Sequence, residues 1–162
     1  MYKRQLGDSL DLVVIGAFFG KGRRTGLYGT LLLASYDEDT DTFTSICKVG
    51  TGFTDEYLDQ LYQILSSKVT IKKNPRITSE MEADVWFEPE LVIEIVATEI
   101  TLSPIHKAAM DEIRKGAGLA LRFPKFTGKI RVEKFAEDAS TNEEVISLYK
   151  GQKKIAHDKN LM

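Results

Sequence analysis

With one cysteine, Cys47, the sequence cannot form an intrachain disulfide. It has only two histidines, His106 and His157, which excludes zinc-finger spacing. Cys47 lies in an apolar strand pattern and reads as a small buried hydrophobe, not a nucleophile. His106 follows Pro104-Ile105 without a metal partner and reads as structural or exposed. No apolar run approaches the ~18 residues of a membrane helix, and the N-terminus lacks signal-peptide form. These absences point to a cytoplasmic protein with no membrane partner. The acids Asp37, Glu38, Asp39 and Asp41 resemble a calcium loop only loosely, because the glycine and distal glutamate of that loop are missing. Gly20-Lys-Gly-Arg-Arg-Thr-Gly26 is not a P-loop, since the closing Lys-Ser/Thr is absent. No metal site is expected.

What is present is unevenly distributed charge. The net charge is only -2, so the total does not suggest nucleic acid. The clusters carry the information. Lys21, Arg23 and Arg24 crowd one glycine-punctuated loop. Between residues 122 and 134 stand five bases (Arg122, Lys125, Lys129, Arg131, Lys134) and one acid, Glu133. The sequence there is strand-like, so alternate side chains share a face. Lys125, Thr127, Lys129, Arg131 and Glu133 fall on one face, and Phe126, Ile130 and Val132 on the core face. Lys134 would follow the core face unless the strand ends or bulges. Such a strip suits a phosphate-rich partner. A solvated strand face accounts for the same pattern.

At 162 residues one domain is the default. Residues 12–19 read as a strand buried on both faces, with a bulge at Gly16. Residues 27–36 and 42–49 give two more strands. Leu58, Leu61, Tyr62 and Leu65 have helical spacing behind an N-cap at Thr54. Residues 66–83 read mainly as loop, and residues 91–96 as a strand. Residues 104–116 suggest a short helix. Leu119, Leu121 and Phe123 form a strand face, and residues 126–135 a last strand. Residues 140–149 close the fold as a helix, with Thr141 and Glu144 at capping-box spacing. Residues 150–162 read as a fraying tail. Trp86 and Phe87 could stack on a base, but core packing is the simpler reading. Three strands, a helix, then two or three strands is the order of a mainly β, five-stranded Greek-key OB barrel with a helix between strands 3 and 4. Fold alone assigns no function.

Five segments add a resemblance. They are Asp11-Leu-Val-Val-Ile-Gly-Ala-Phe-Phe-Gly-Lys-Gly-Arg-Arg24, Lys48-Val-Gly-Thr-Gly-Phe-Thr54, Asp84-Val-Trp-Phe-Glu-Pro89, Leu102-Ser-Pro104, and Leu121-Arg-Phe-Pro-Lys-Phe126 with Arg131-Val-Glu-Lys134. In this order the chain resembles the C-terminal OB-fold domain of ATP-dependent DNA ligases of the archaeal and eukaryotic replicative type. Arg131-Val-Glu-Lys134 is similar to the family's last motif, Arg-x-Asp-Lys, with Glu133 in place of Asp. Tyr2-Lys-Arg4 is similar to the end of the motif that closes the adenylation domain. The family's adenylated lysine lies in a Lys-x-Asp-Gly motif, and this sequence has no Asp-Gly dipeptide.

The resemblance implies a parent enzyme that seals nicks in duplex DNA with ATP and magnesium. It implies Arg131 and Lys134 as catalytic residues orienting the β- and γ-phosphates of ATP, with Arg122 and Lys3 as further ATP-binding candidates. Lys21, Arg23 and Arg24 are the DNA-backbone candidates. Residues 1–10 are then the end of the adenylation domain and a linker, 11–150 the OB domain, and 151–162 a flexible tail. Implied partners are nicked DNA, the adenylation and DNA-binding domains of the parent, and a sliding clamp. The setting would be cytoplasmic at the nucleoid, or nuclear in a eukaryote. Alone, the chain is expected to bind no cofactor and to be inactive. Two rivals remain: a free-standing nucleic-acid-binding OB module, and the matching domain of an RNA-capping nucleotidyltransferase.

Overall fold

A central strand flanked on both sides organises the molecule. The computed structural model describes residues 9–20 and 28–160, with side chains through residue 152. Strand β1 (Leu10–Phe19) pairs antiparallel with β2 (Tyr28–Asp37), and β2 with β3 (Thr42–Val49). On its other edge β1 meets two strands in succession. Leu10 to Val13 pair with β7 (Val92–Val96), and Gly16 and Ala17 pair with β6 (Val85–Phe87). Beyond β7 lies β10 (Lys125–Ile130), so the long strands run β10-β7-β1-β2-β3. This is the OB order, with helix α1 (Asp55–Ser66) leaving the end of β3 as expected. The candidate DNA-backbone residues Lys21, Arg23 and Arg24, and the ATP-binding candidate Lys3, lie outside the described residues.

The two-sided burial of β1 follows from its sequence. Leu10, Leu12, Val14 and Ala17 face one apolar cluster, and Val13 and Ile15 face another. The larger cluster is covered by Leu61 and Leu65 of α1 and by Val145 and Tyr149 of helix α2 (Asn142–Asn160). The expected irregularity at Gly16 is present as a register shift between Val14 and Gly16. Thr54 caps α1, its Oγ1 accepting from Tyr57 N at 3.2 Å. Phe87 is fully buried, Cys47 is buried, and Trp86 packs beside the smaller cluster.

Among the described residues no continuous ladder closes the sheet, but one contact draws its ends together. Phe126 N on β10 donates to Thr51 O, just past β3, at 3.0 Å. Gly52 sits beside this bond with φ +95°, and a Cβ there would lie 2.3 Å from the Phe126 carbonyl oxygen. Only glycine fits such an approach in that conformation. Phe53 and Tyr57 then pack on the Phe126 ring, at centroid distances of 5.1 and 5.3 Å.

Several expectations are corrected. Residues 66–83 are mostly loop, but they contribute β4 (Val69–Thr70), paired with β6, and β5 (Ile77–Thr78), paired parallel with β3. Residues 104–116 form turns, not a helix. Ala109 and Asp111 have φ of 50° and 66°, and Lys107 N and Ala108 N both donate to Ser45 O on β3. Left-handed residues and bonds to a neighbouring strand are incompatible with a helical ladder. This segment connects β8 (Glu99–Ser103) to β9 (Gly118–Arg122), which pair antiparallel. Phe123 lies outside β9, at φ 53° and 68% exposed, so it does not extend that strand's face. The last strand ends at Ile130, not at residue 135, and Val132 is 82% exposed instead of facing the core. Helix α2 runs to Asn160, past the predicted end at Tyr149.

Candidate phosphate-binding site

The candidate site forms where β10 stops. Gly128 has φ +99°, which bends the strand against the Tyr57 hydroxyl. Arg131 N still donates to Val92 O of β7 at 2.8 Å, and Lys134 N to Arg131 O at 3.2 Å. This turn places the Arg131 and Lys134 side chains on one side, over the start of β1. Early strand termination is therefore what releases Lys134 from the core face.

Two largely covered acids lie beneath them. Asp11 and Glu94 are direct cross-strand partners on β1 and β7. Their side chains are 12% and 10% exposed. Like charges placed opposite each other in a ladder repel, and a buried charge requires a partner. Arg131 answers both. Its Nε donates to Asp11 Oδ1 at 3.1 Å, and Nη2 donates to Glu94 Oε2 at 2.9 Å. Lys134 Nζ donates to Asp11 Oδ2 at 2.5 Å. Glu94 also accepts from Thr127 Oγ1 at 2.8 Å and from Ser9 Oγ at 3.1 Å.

The pKa shifts follow these bonds. The Thr127 hydroxyl, then Ser9 and the charges of Lys129 and Arg131, hold the Glu94 carboxyl below its ordinary value against the opposing effect of burial. The Asp11 carboxylate, by hydrogen bond and charge, raises the already high pKa of Arg131. Glu94 and Arg131 are therefore both ionised at neutral pH.

Beside this corner is an open cavity of about 370 Å³, lined by Gln60, Lys129, Arg131, Glu133 and the backbone between them. Glu133, the acid inside the motif, is 59% exposed and reaches Arg131 Nη1 only at 3.7 Å. Lys125 and Lys129 are exposed. Arg122 is not gathered into this corner. It ends β9, lies 3.7 Å from Glu99, and its guanidinium sits 5.1 Å from the Phe123 ring centre. Among the described residues no group of three or more His, Cys, Asp or Glu is placed to hold a metal. No helix among them is long and apolar enough to cross a membrane.

Asp11 and Glu94 received no role from the sequence. A usable signal was there: each is an acid set in an otherwise apolar strand that must be buried on both faces.

The comparisons with known proteins agree with the fold and its order. The family model described as the ATP dependent DNA ligase C terminal region matches residues 24–134. A DNA ligase of Nitrosopumilus maritimus is 86% identical over 161 residues, 99% of this chain and 27% of that protein. A DNA ligase of Cenarchaeum symbiosum is 76% identical over 97% of this chain and 27% of that protein. The chain thus spans about a quarter of the length of these relatives. In structure it is similar to the ligase domain of M. tuberculosis LigD, with a TM-score of 0.61 and 20% identity over 82% of this chain and 38% of that one. That likeness supports the OB-type fold alone. Motif order, identity and family match agree, and the chain belongs to the family of ATP-dependent DNA ligase C-terminal regions.

Proposed function

We propose that this chain works within an enzyme that seals nicks in duplex DNA in three group transfers. A lysine amine on another domain attacks the α-phosphorus of ATP. The α–β phosphoanhydride bond breaks, pyrophosphate leaves, and AMP stays on the lysine. AMP then passes to the 5′-phosphate at the nick, freeing the lysine. Finally the 3′-hydroxyl attacks that phosphate and releases AMP. Phosphoryl transfer of this kind depends on positioning and charge stabilisation.

The observation that carries the reading is the Arg131–Lys134 pair, fixed by Asp11 beside an open cavity. A guanidinium fork and a compact ammonium are suited to the β- and γ-phosphates of the leaving pyrophosphate. Arg122 and Lys3 are assigned supporting contacts to ATP. Lys21, Arg23 and Arg24 are assigned to the DNA backbone in the later steps. Magnesium would enter with the nucleotide, and no step here is routed through it. The proposed setting is the DNA-containing compartment of the cell. The adenylation and DNA-binding domains are the expected neighbours, and a sliding clamp is a further candidate partner.

The chain incubated alone with labelled ATP and magnesium should gain no acid-stable AMP, because no Lys-x-Asp-Gly nucleophile is in the sequence. Stoichiometric labelling would overturn the division of labour. Its DNA binding should be weak and should tolerate duplex. If about three phosphates are neutralised, log K should fall against log salt with a slope of roughly -3. Tight, salt-insensitive binding to single strands would contradict the proposal.

A further inference from the structure

We propose that Asp11 is a positioning residue for lysine adenylation, setting the Arg131 guanidinium and the Lys134 ammonium as a fixed pair facing the polyphosphate of ATP. This deepens the reading above and rests on its assignment of Arg131 and Lys134. The two oxygens of one carboxylate divide the work. Oδ1 accepts from Arg131 Nε at 3.1 Å, and Oδ2 accepts from Lys134 Nζ at 2.5 Å. The acid between the two bases in sequence is Glu133, but the acid between them in space is Asp11. Glu133 lies too far from Nη1, at 3.7 Å, for a hydrogen bond, and no ion pair joins it to Lys134.

Asp11 is itself held still. Its N–H donates to Ser140 Oγ at 3.0 Å, and its carbonyl accepts from Ser140 N at 2.8 Å. The β1–β7 ladder fixes the rest of its backbone. The donor inventory leaves room for a ligand. Arg131 has five N–H groups and Lys134 three. Among the described residues, carboxylates take one from Nε, one from Nη2 and one from Nζ. The remaining donors stay on side chains whose rotamers are already set. An enzyme gains from charges that need no reorganisation when pyrophosphate begins to leave.

The test uses a full-length ligase carrying this chain. Asp11→Asn keeps the size but turns one oxygen into an amide donor facing a cationic donor. Self-adenylation at saturating ATP should slow by about tenfold or more, less than the ~10²–10³ for losing a charge partner outright. Sealing of a pre-adenylated nick should stay within about twofold, which a general loss of folding would not allow. Asp11→Glu keeps the charge and should recover part of the first step. Adenylation at the unmodified rate in Asp11→Asn would overturn the inference. So would equal slowing of both steps in Asp11→Asn and Asp11→Glu. Arg131→Lys separates the two levels. If it leaves adenylation unchanged, the assignment of Arg131 to ATP falls. If it slows adenylation while Asp11→Asn does not, only the role of Asp11 falls.

Discussion

Two arginines in this molecule each bridge a pair of acids, and their surroundings differ. Arg76 joins Asp41 at 2.7 Å to Glu137 at 2.9 Å. Those acids are 65% and 46% exposed, and the guanidinium lies 4.8 Å from the centre of the Phe43 ring. Arg131 joins Asp11 to Glu94, which are 12% and 10% exposed, and shares Asp11 with Lys134. The first is a clasp between surface turns. Its charges are already met by water, so losing one member costs little. The second is a corner in which largely covered carboxylates lie opposite each other in a ladder and depend on the cations above them. Bridging geometry alone therefore does not mark a site. Largely covered acids, a shared second cation and an adjacent cavity do.

The largest expected effect tests whether the Arg131 corner depends on where β10 is anchored. Phe126 is fully buried and holds that strand against Phe53 and Tyr57. Phe126→Ala should cost about 3–5 kcal/mol in denaturant unfolding. Gly52→Ala attacks the same anchor from the other side. It should cost about 1–3 kcal/mol through the left-handed backbone, with the contact at the Phe126 carbonyl adding to it. A loss below about 0.5 kcal/mol for both would mean that the corner is positioned by β7 alone.

Acid should separate the corners from the rest of the fold. His106 has a buried Nδ1 with no hydrogen-bond partner among the described residues, and burial, with Lys48 nearby, pushes its pKa down to about 4. The unfolded chain takes up this proton near pH 6.5 and the folded chain only near pH 4. Stability contributed by His106 is thus complete above pH 6.5 and is lost as pH falls toward 4, by about 2–3 kcal/mol. Glu94 and Asp41 have lowered pKa values, first through bonds from Thr127 and Tyr36 respectively. Their contributions are present above the ordinary carboxylate pKa and fade only below it. Denaturation against pH should show two stages, and His106→Gln should remove the first. A single stage below pH 4 in the unmodified protein would contradict this.

The smallest effect is expected at the surface clasp. Arg76→Ala should change stability by about 1 kcal/mol or less, measured by the denaturation midpoint. A loss comparable to Phe126→Ala would erase the contrast between the two arginines.

Much of this was legible in the sequence because it depends on local pattern. An unbroken apolar run gave a strand buried on both faces, Thr54 gave a cap, and strand order gave the OB architecture. What escaped depends on distant partners. Arg131 meets Asp11 and Glu94 from 120 and 37 residues away. The turns of residues 104–116 use positive φ at Ala109 and Asp111, residues that carry no turn signal as strong as glycine. The end of β10 was hidden because Ile130, Arg131 and Val132 continue an alternating pattern after the backbone has already turned at Gly128.

The central claim is that the Arg131 corner serves the departure of pyrophosphate and the Arg76 clasp does not. It is tested most directly by single-turnover rates of self-adenylation and of sealing a pre-adenylated nick, measured separately in a full-length ligase carrying this chain. Arg131→Ala, like Lys134→Ala, should slow the first step by ~10²–10³ and the second far less, because pyrophosphate is present only in the first. Arg76→Ala should leave both rates unchanged. Arg23→Ala should show the reverse bias, slowing sealing more. Equal slowing of both steps by Arg131→Ala, in a protein that unfolds as cooperatively as the unmodified one, would contradict the account.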